Sequence, residues 1–78
     1  MLDREKFINY LNLHDYGPKS FDNKSKTGVY VNHKTLQEII IYEESFDICT
    51  KINDKFYFQT FYYEDTKITK TGIYCKMF

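Results

Sequence analysis

The side chains that could ligate a metal or act as nucleophiles are few in this sequence and widely spaced. They are His14, His33, Cys49 and Cys75. Structural zinc is held by four ligands that usually come in close Cys or His pairs, and no such pair occurs here. Both cysteines lie in strand-like segments, where a buried thiol is the ordinary interpretation. We therefore expect no metal site and no cofactor.

Three further patterns bear on catalysis. His14 and Asp15 resemble a general-base pair, but a histidine placed there more often ends a helix, where a cation suits the dipole. Glu43 and Glu44 are adjacent, so on a strand they point to opposite faces and form no carboxylate pair. A Cys–His nucleophile pair would meet only in space, and the chain has no local signature for one. We expect no enzymatic activity.

Aromatic residues are abundant, and they concentrate in residues 55–63. Six of those nine residues are Phe or Tyr, and none is Gly or Pro. Phe, Tyr and Thr favour the pleated, half-buried surface of a sheet. The segment is therefore predicted to be a strand, and the rings on both of its faces predict a central position in the sheet.

The rest of the chain predicts an α+β fold, with one short N-terminal helix packed on a four- to five-stranded antiparallel meander. Phe7, Ile8 and Leu11 follow helical spacing after the candidate N-cap Asp3, which predicts a helix over residues 4–14. Residues 17–26 are polar apart from Phe21 and predict a loop anchored by that ring. The sheet is predicted over residues 27–77, in strands at 27–32, 36–42, 46–52, 55–63 and 67–77.

Residues 35–43 support two interpretations. Thr35 and Glu38 match a helical capping box. The three consecutive isoleucines at 39–41 favour a strand instead, because β-branched side chains lose rotamer freedom in a helix. The strand is the preferred prediction, and the helix remains the alternative.

The length of the loop at Asn53 and Asp54 decides which face of residues 55–63 is buried, since a shift of one residue exchanges the faces. A two-residue loop pairs Ile52 with Lys55. A three-residue loop pairs Ile52 with Phe56 and collects the apolar residues on one face. We prefer the three-residue loop. The predicted core face is then Phe46, Ile48, Ile52, Phe56, Phe58 and Tyr62, beneath the helix.

The opposite face is then left without a covering element and is the predicted contact surface. Tyrosine is enriched in the cores of protein interfaces, because it combines a large area with a polar tip. Acidic side chains in and beside the turns at 43–45 and 64–66 would gather at one end of the meander and steer a basic partner. They are Glu43, Glu44, Asp47, Glu64 and Asp65. The candidate partner-binding residues are Lys51, Tyr57, Gln59, Phe61, Tyr63, Glu64 and Asp65.

Charge and hydropathy restrict the class of partner. Eleven basic and eleven acidic residues give a formal charge of zero, which disfavours nucleic acid as the main ligand. No apolar run is long enough to span a membrane, and the N-terminal residues do not have the pattern of a signal peptide. We expect a cytoplasmic protein.

The leading hypothesis is a small non-enzymatic protein-binding domain. Ten lysines against one arginine, with no alanine, are typical of AT-rich genomes. Such a composition suits a phage or mobile-element inhibitor of a host defence protein, of the anti-CRISPR type. One alternative is a single-stranded nucleic-acid binder that stacks bases on exposed rings and holds phosphates with Lys51, Lys55 and Lys76. The other is a structural homodimer joined through an edge strand.

Overall fold

The helix comes first in the chain and the strands follow it. The computed structural model describes residues 2–69 and 72–75. The elements are α1 (Arg4–Leu13), β1 (Tyr16–Asp22), β2 (Thr27–Asn32), β3 (Glu38–Ile41), β4 (Ser45–Ile52), β5 (Lys55–Tyr62), a 3-10 turn (Tyr63–Asp65), β6 (Thr66–Thr69) and β7 (Gly72–Cys75).

The first five strands form one antiparallel sheet in the order β1-β2-β3-β4-β5. Each strand pairs with its sequence neighbours, which is a meander. β6 and β7 pair with each other in a separate two-stranded sheet. The predicted fold class, α+β with one helix on an antiparallel meander, is confirmed.

The helix forms where its cap and apolar spacing predict it. The Asp3 side chain accepts a hydrogen bond from the Lys6 backbone N–H at 2.8 Å, which satisfies one of the free donors of the first turn. Phe7, Ile8 and Leu11 are buried against the sheet. A helix of ten residues is marginal in water by itself, so this packing is what stabilises it.

The prediction of a loop over residues 17–26 is wrong for most of its length. That segment contains β1, in which Gly17 pairs with Val31 and Pro18 with Tyr30. Proline is compatible with this position because β1 is an edge strand, where one side of the backbone needs no ladder bond. Phe21 does anchor the segment, packing edge-on against Tyr30 with ring centroids 5.0 Å apart.

Residues 35–43 contain a strand, as preferred. β3 places Ile39 and Ile41 in the core, each 1% exposed. The segment before it is a turn, in which the Asn32 side chain accepts hydrogen bonds from the backbone N–H groups of Lys34 and Thr35. These hydrogen bonds from Lys34 and Thr35 hold residues 32–35 in a turn, where the alternative prediction began a helix at Thr35.

The predicted central position of the aromatic strand is wrong, because β5 lies at one edge of the meander. The segment 67–77 was expected to pair beside it. Instead, β6 and β7 divide that segment and pair with each other. Residues 70, 71, 76 and 77 of the predicted last strand lie outside the described residues.

The loop between β4 and β5 has two residues, so the preferred three-residue loop is wrong. Asn53 and Asp54 have φ of 51° and 64°, and Ile52 pairs with Lys55. Two consecutive residues in the left-handed region match the twist of a two-residue hairpin, and Asn and Asp tolerate that region. Phe46 therefore pairs with Phe61.

This register exchanges the two faces of β5. The core is built on Phe46, which is 0% exposed and stacks on Phe7 with centroids 4.1 Å apart. Ile48 packs beside it, as predicted. Phe61 and Tyr63 complete the core. Four residues that were predicted to be buried there are instead 52–61% exposed, namely Ile52, Phe56, Phe58 and Tyr62.

Candidate functional site

The side of the sheet that faces away from α1 carries the most exposed rings, and we call it the open face. Alternation along β4 and β5 defines its members. On β5, Phe56 and Phe58 are each 61% exposed and Tyr62 is 54% exposed. The open face of the β4–β5 hairpin consists of Ser45, Asp47, Cys49, Lys51, Phe56, Phe58, Thr60 and Tyr62.

The lengths of the elements explain why part of the hairpin is exposed on both faces. β3 has four residues and pairs only with the first half of β4, up to Cys49. The ten residues of α1 span about 15 Å, whereas eight strand residues span about 26 Å. The hairpin therefore extends past its neighbours, and Ile52 and Tyr57 on its helix side are 52% and 53% exposed.

Polar groups fix the side chains between these rings. The Thr60 hydroxyl donates to Oδ1 of Asp47 at 2.6 Å, and the Tyr42 hydroxyl donates to Oδ2 at 3.4 Å. Partial desolvation, and then the charge and hydrogen bonding of Asp47, raise the pKa of the exposed Tyr42 hydroxyl. Nζ of Lys51 lies 5.8 Å from the centroid of the Phe56 ring. The open face is thus apolar rings interspersed with charges of both signs.

A groove of about 670 Å³ continues the open face at its β3 end. Leu36, Glu38, Cys49, Lys51 and Phe56 are among its lining residues. Leu36 is 73% exposed and has φ of 65°, which is an uncommon conformation for a bulky side chain. Strained residues of this kind concentrate at ligand-contacting sites. The turn before β3 therefore places an exposed apolar side chain in the same groove as Phe56.

The structure divides the residues that were predicted to bind a partner. Lys51 lies on the open face, as predicted. Tyr57 and Gln59 are exposed but point to the helix side, and Phe61 is half-buried on that side. Tyr63 is buried, Glu64 is exposed and Asp65 is half-buried in the 3-10 turn. The predicted orientation of Tyr57, Gln59 and Phe61 toward the uncovered face is therefore wrong, because the two-residue loop exchanged the faces. The binding roles of the predicted residues stay predictions.

Tyr63 is instead a core residue with a satisfied hydroxyl. It is 5% exposed and packs against Phe46 and Phe7, with centroids 5.7 Å and 5.8 Å away. Its hydroxyl donates to the Tyr42 carbonyl oxygen at 2.9 Å. Burial raises the pKa of Tyr63 well above its ordinary value, since the phenolate would be poorly solvated there.

The raised pKa of Tyr63 predicts a loss of stability at alkaline pH. Its contribution is fully present below the unfolded pKa of about 10 and is lost as the pH rises toward the folded pKa, because the unfolded chain releases the proton first. We expect the free energy of unfolding to fall above about pH 10 by up to about 1.4 kcal/mol per pH unit for this group. Urea titrations between pH 8 and pH 11.5, on the wild type and Tyr63→Phe, measure it. The variant should show the shallower decline, and equal slopes would contradict the linkage.

Acidic side chains gather at one end of the sheet, as the meander predicts. Glu43, Glu44 and Glu64 line a cleft of about 310 Å³ together with Asp3 and Arg4. Asp47 does not join them, because it is held on the open face by Thr60. The cleft adjoins Tyr62, which places negative charge at one end of the open face.

Two further observations concern metal and membrane. Among the described residues, no group of His, Cys, Asp or Glu is arranged to hold a metal ion. In residues 2–69 and 72–75, no helix is both long and apolar enough to cross a membrane.

Four exposed apolar residues of this site were not predicted, namely Leu36, Phe56, Phe58 and Tyr62. The exposure of Phe56, Phe58 and Tyr62 could have been predicted from the sequence of the turn between β4 and β5. Asn53 and Asp54 are residues that tolerate positive φ, and two of them between strands indicate a two-residue hairpin. For Leu36 the sequence carries no comparable signal.

Fold and site together define a small α+β domain with an exposed aromatic sheet face. Comparison of the chain with protein-family models, curated proteins and solved structures finds no match. Its function is therefore inferred from the geometry of this face.

Proposed function

We propose that this chain is a non-enzymatic protein-binding domain and that the open face is its contact surface. The observation that carries the proposal is the exposure of Phe56, Phe58 and Tyr62 on the same face of β5. Burying one such side chain is worth about 1.5–3 kcal/mol. A domain of this size has little apolar surface to spare, so three large rings outside the core favour a role in recognition.

The composition of the open face supports a protein partner. Interface cores are rich in aromatic rings, and their rims carry polar groups of both signs. Here Lys51 lies beside Phe56, and Asp47 is fixed between Thr60 and Tyr42. Glu38 on β3 is paired with Lys19 at 3.0 Å. A surface that holds carboxylates among its rings suits a protein better than a phosphate backbone.

The groove beside β3 supplies a second anchor. Leu36, Phe56, Cys49 and Thr50 are among the residues that line it. Holding a leucine at positive φ costs about 1–3 kcal/mol. We infer that a partner side chain enters this groove and contacts Leu36 and Phe56.

The partner that we propose is a host protein. The AT-rich composition suits a phage or mobile-element product, and a neutral domain with one recognition face suits an inhibitor that blocks a host defence protein. The acidic cleft beside Tyr62 would then steer a basic surface of that host protein toward the open face.

The test compares two faces of the same strand. The chain is immobilised and exposed to host lysate as wild type, as Phe56→Ser/Phe58→Ser, and as Tyr57→Ser. Tyr57 is the matched control, because it is an equally exposed ring that points to the helix side. We expect the double variant to lose at least about 2 kcal/mol of binding free energy, roughly 30-fold, and the control to retain the partner. Equal retention by the double variant would contradict the proposal.

A second measurement separates a protein partner from nucleic acid. A labelled single-stranded oligonucleotide is titrated with the wild type and the double variant at low and moderate salt. Stacking contributes about 1–3 kcal/mol per base, so binding that falls with salt and disappears in the double variant would assign the rings to nucleic acid instead. We expect no binding at either salt concentration.

A further inference from the structure

The two edges of the five-stranded sheet differ in how they are protected. β1 carries Pro18, and its register shifts between Pro18 and Ser20. Proline and bulges are the usual devices that prevent an edge strand from pairing with another chain. β5 has neither, since it contains no Pro or Gly and keeps an unbroken register with β4 over eight residue pairs.

The two-residue hairpin determines which backbone groups β5 leaves unused. Residues that flank such a turn exchange hydrogen bonds, so Ile52 and Lys55 form a hydrogen-bonded pair, and every second pair along the hairpin does the same. The backbone groups of Phe56, Phe58, Thr60 and Tyr62 therefore point away from β4. The Tyr62 carbonyl accepts from the Thr66 hydroxyl at 2.7 Å. Within residues 2–69 and 72–75, no strand pairs with this side of β5.

We propose that β5 pairs with β5 of a second copy of the chain, antiparallel and about a two-fold axis at Gln59. This register places Phe56 opposite Tyr62 of the second copy and Tyr57 opposite its Phe61. Aromatic cross-strand pairs are among the most favourable in antiparallel sheets. The outward backbone groups of Phe56, Phe58 and Thr60 and the Tyr62 N–H meet matching groups in this arrangement, while the Tyr62 carbonyl already accepts from the Thr66 hydroxyl.

Charge favours the same orientation. Lys55 lies at the beginning of β5, whereas Glu64 and Asp65 follow its end. Lys51 lies near Lys55 but is already paired with Asp54, at 3.6 Å. Antiparallel pairing brings the basic end of each strand to the acidic end of the other. Parallel pairing would instead place like charges together at both ends, which is unfavourable.

The two-fold axis is perpendicular to the sheet, so both open faces lie on the same side. The pair forms one ten-stranded sheet and doubles the aromatic surface of the open face. Pairing does not depend on the proposed function, because self-association can be measured without any other partner. The rings of β5 contribute on the order of 400 Å² in each copy, below the ~800 Å² per partner of a standard interface, so the dimer is expected at micromolar concentrations.

Cysteine cross-linking tests the register. In a background with Cys49 and Cys75 replaced by serine, Gln59→Cys places one thiol of each copy on the axis. The backbone N–H and C=O groups of Gln59 point toward Ile48 of β4, with which they form a hydrogen-bonded pair. The two Gln59 residues of the dimer therefore face each other as a non-hydrogen-bonded pair, in which the two Cα atoms are about 4.5 Å apart. That separation fits a disulfide. We expect Gln59→Cys to give a disulfide-linked dimer under mild oxidation.

Tyr57→Cys in the same background is the control, because it places the two thiols about 14 Å apart along the strands. We expect it to remain mainly monomeric on a non-reducing gel. Equal cross-linking of the two variants, or none of either, would overturn the proposed pairing.

Sedimentation equilibrium tests whether the edge carries the association. Thr60→Pro removes an outward N–H and the hydroxyl that binds Asp47, but no backbone hydrogen bond to β4. Thr60→Val removes only the hydroxyl and is therefore its control. We expect the dimer association constant to fall at least tenfold in Thr60→Pro and less than threefold in Thr60→Val. A wild type that stays monomeric up to millimolar concentration would overturn the proposal. Because Thr60→Pro can fail to fold, the cysteine pair decides the question independently.

Discussion

Replacing Phe46 with alanine is expected to lower the free energy of unfolding by about 3–5 kcal/mol, which is most of the stability of a small domain. Phe46 is fully buried and contacts the rings of Phe7, Phe61 and Tyr63. No neighbouring side chain can fill the space that its ring leaves, since the helix and the sheet meet at this point. Urea unfolding followed by circular dichroism measures the change.

The matched control for Phe46→Ala is Phe58→Ala. Phe58 is the same residue type on the neighbouring strand, but it lies on the open face and is 61% exposed. We expect its removal to change the free energy of unfolding by less than about 0.5 kcal/mol. A loss from Phe58→Ala as large as that from Phe46→Ala would mean that the Asn53-Asp54 loop closes with three residues, since that register buries both rings on the same face.

Replacing Gly28 with alanine is expected to cost about 3 kcal/mol or more, because two penalties combine. Gly28 has φ of +135°, a conformation that side chains strongly disfavour. A Cβ atom there would also collide with the Ser20 carbonyl oxygen and come within 2.7 Å of the Phe21 Cα atom. Both are backbone atoms of β1, which pairs with β2 at this point, so they cannot move without opening the ladder.

Gly17→Ala is the control for Gly28→Ala. Its new Cβ would meet the His33 imidazole, with Nε2 at 2.5 Å. The His33 side chain is exposed and can rotate away. We expect a loss below about 1 kcal/mol in the same urea titration. If the two alanine variants were equally destabilised, close approach of β1 to Gly28 would not be the cause.

The exposed tip of the β4–β5 hairpin connects the fold to the proposed function. β3 is too short to accompany it, and α1 does not reach it, so its rings remain in solvent. The outer side of β5 has no strand partner among the described residues for a different reason, because β6 and β7 pair with each other.

Local patterns predicted the elements that depend on neighbours in sequence. The Asp3 cap and the spacing of Phe7 and Leu11 predicted the helix, and the isoleucines of β3 predicted a strand. The polar composition of residues 17–26 misled, because β1 owes its strand to backbone pairing with β2 rather than to its own side chains. The same limitation applied to β5, whose rings on both faces suggested a central strand although it lies at the edge.

The sequence by itself determined that this protein has one helix, an antiparallel sheet and more aromatic surface than one small core can bury. Which rings are buried was decided by the tertiary structure. Sorting by hydrophobicity favoured Phe56 and Phe58 for the core, but the turn at Asn53 and Asp54 set the register and placed Phe61 and Tyr63 there instead. The physical reason is that side chains alternate along a strand, so two turn residues fix the orientation of every ring that follows them.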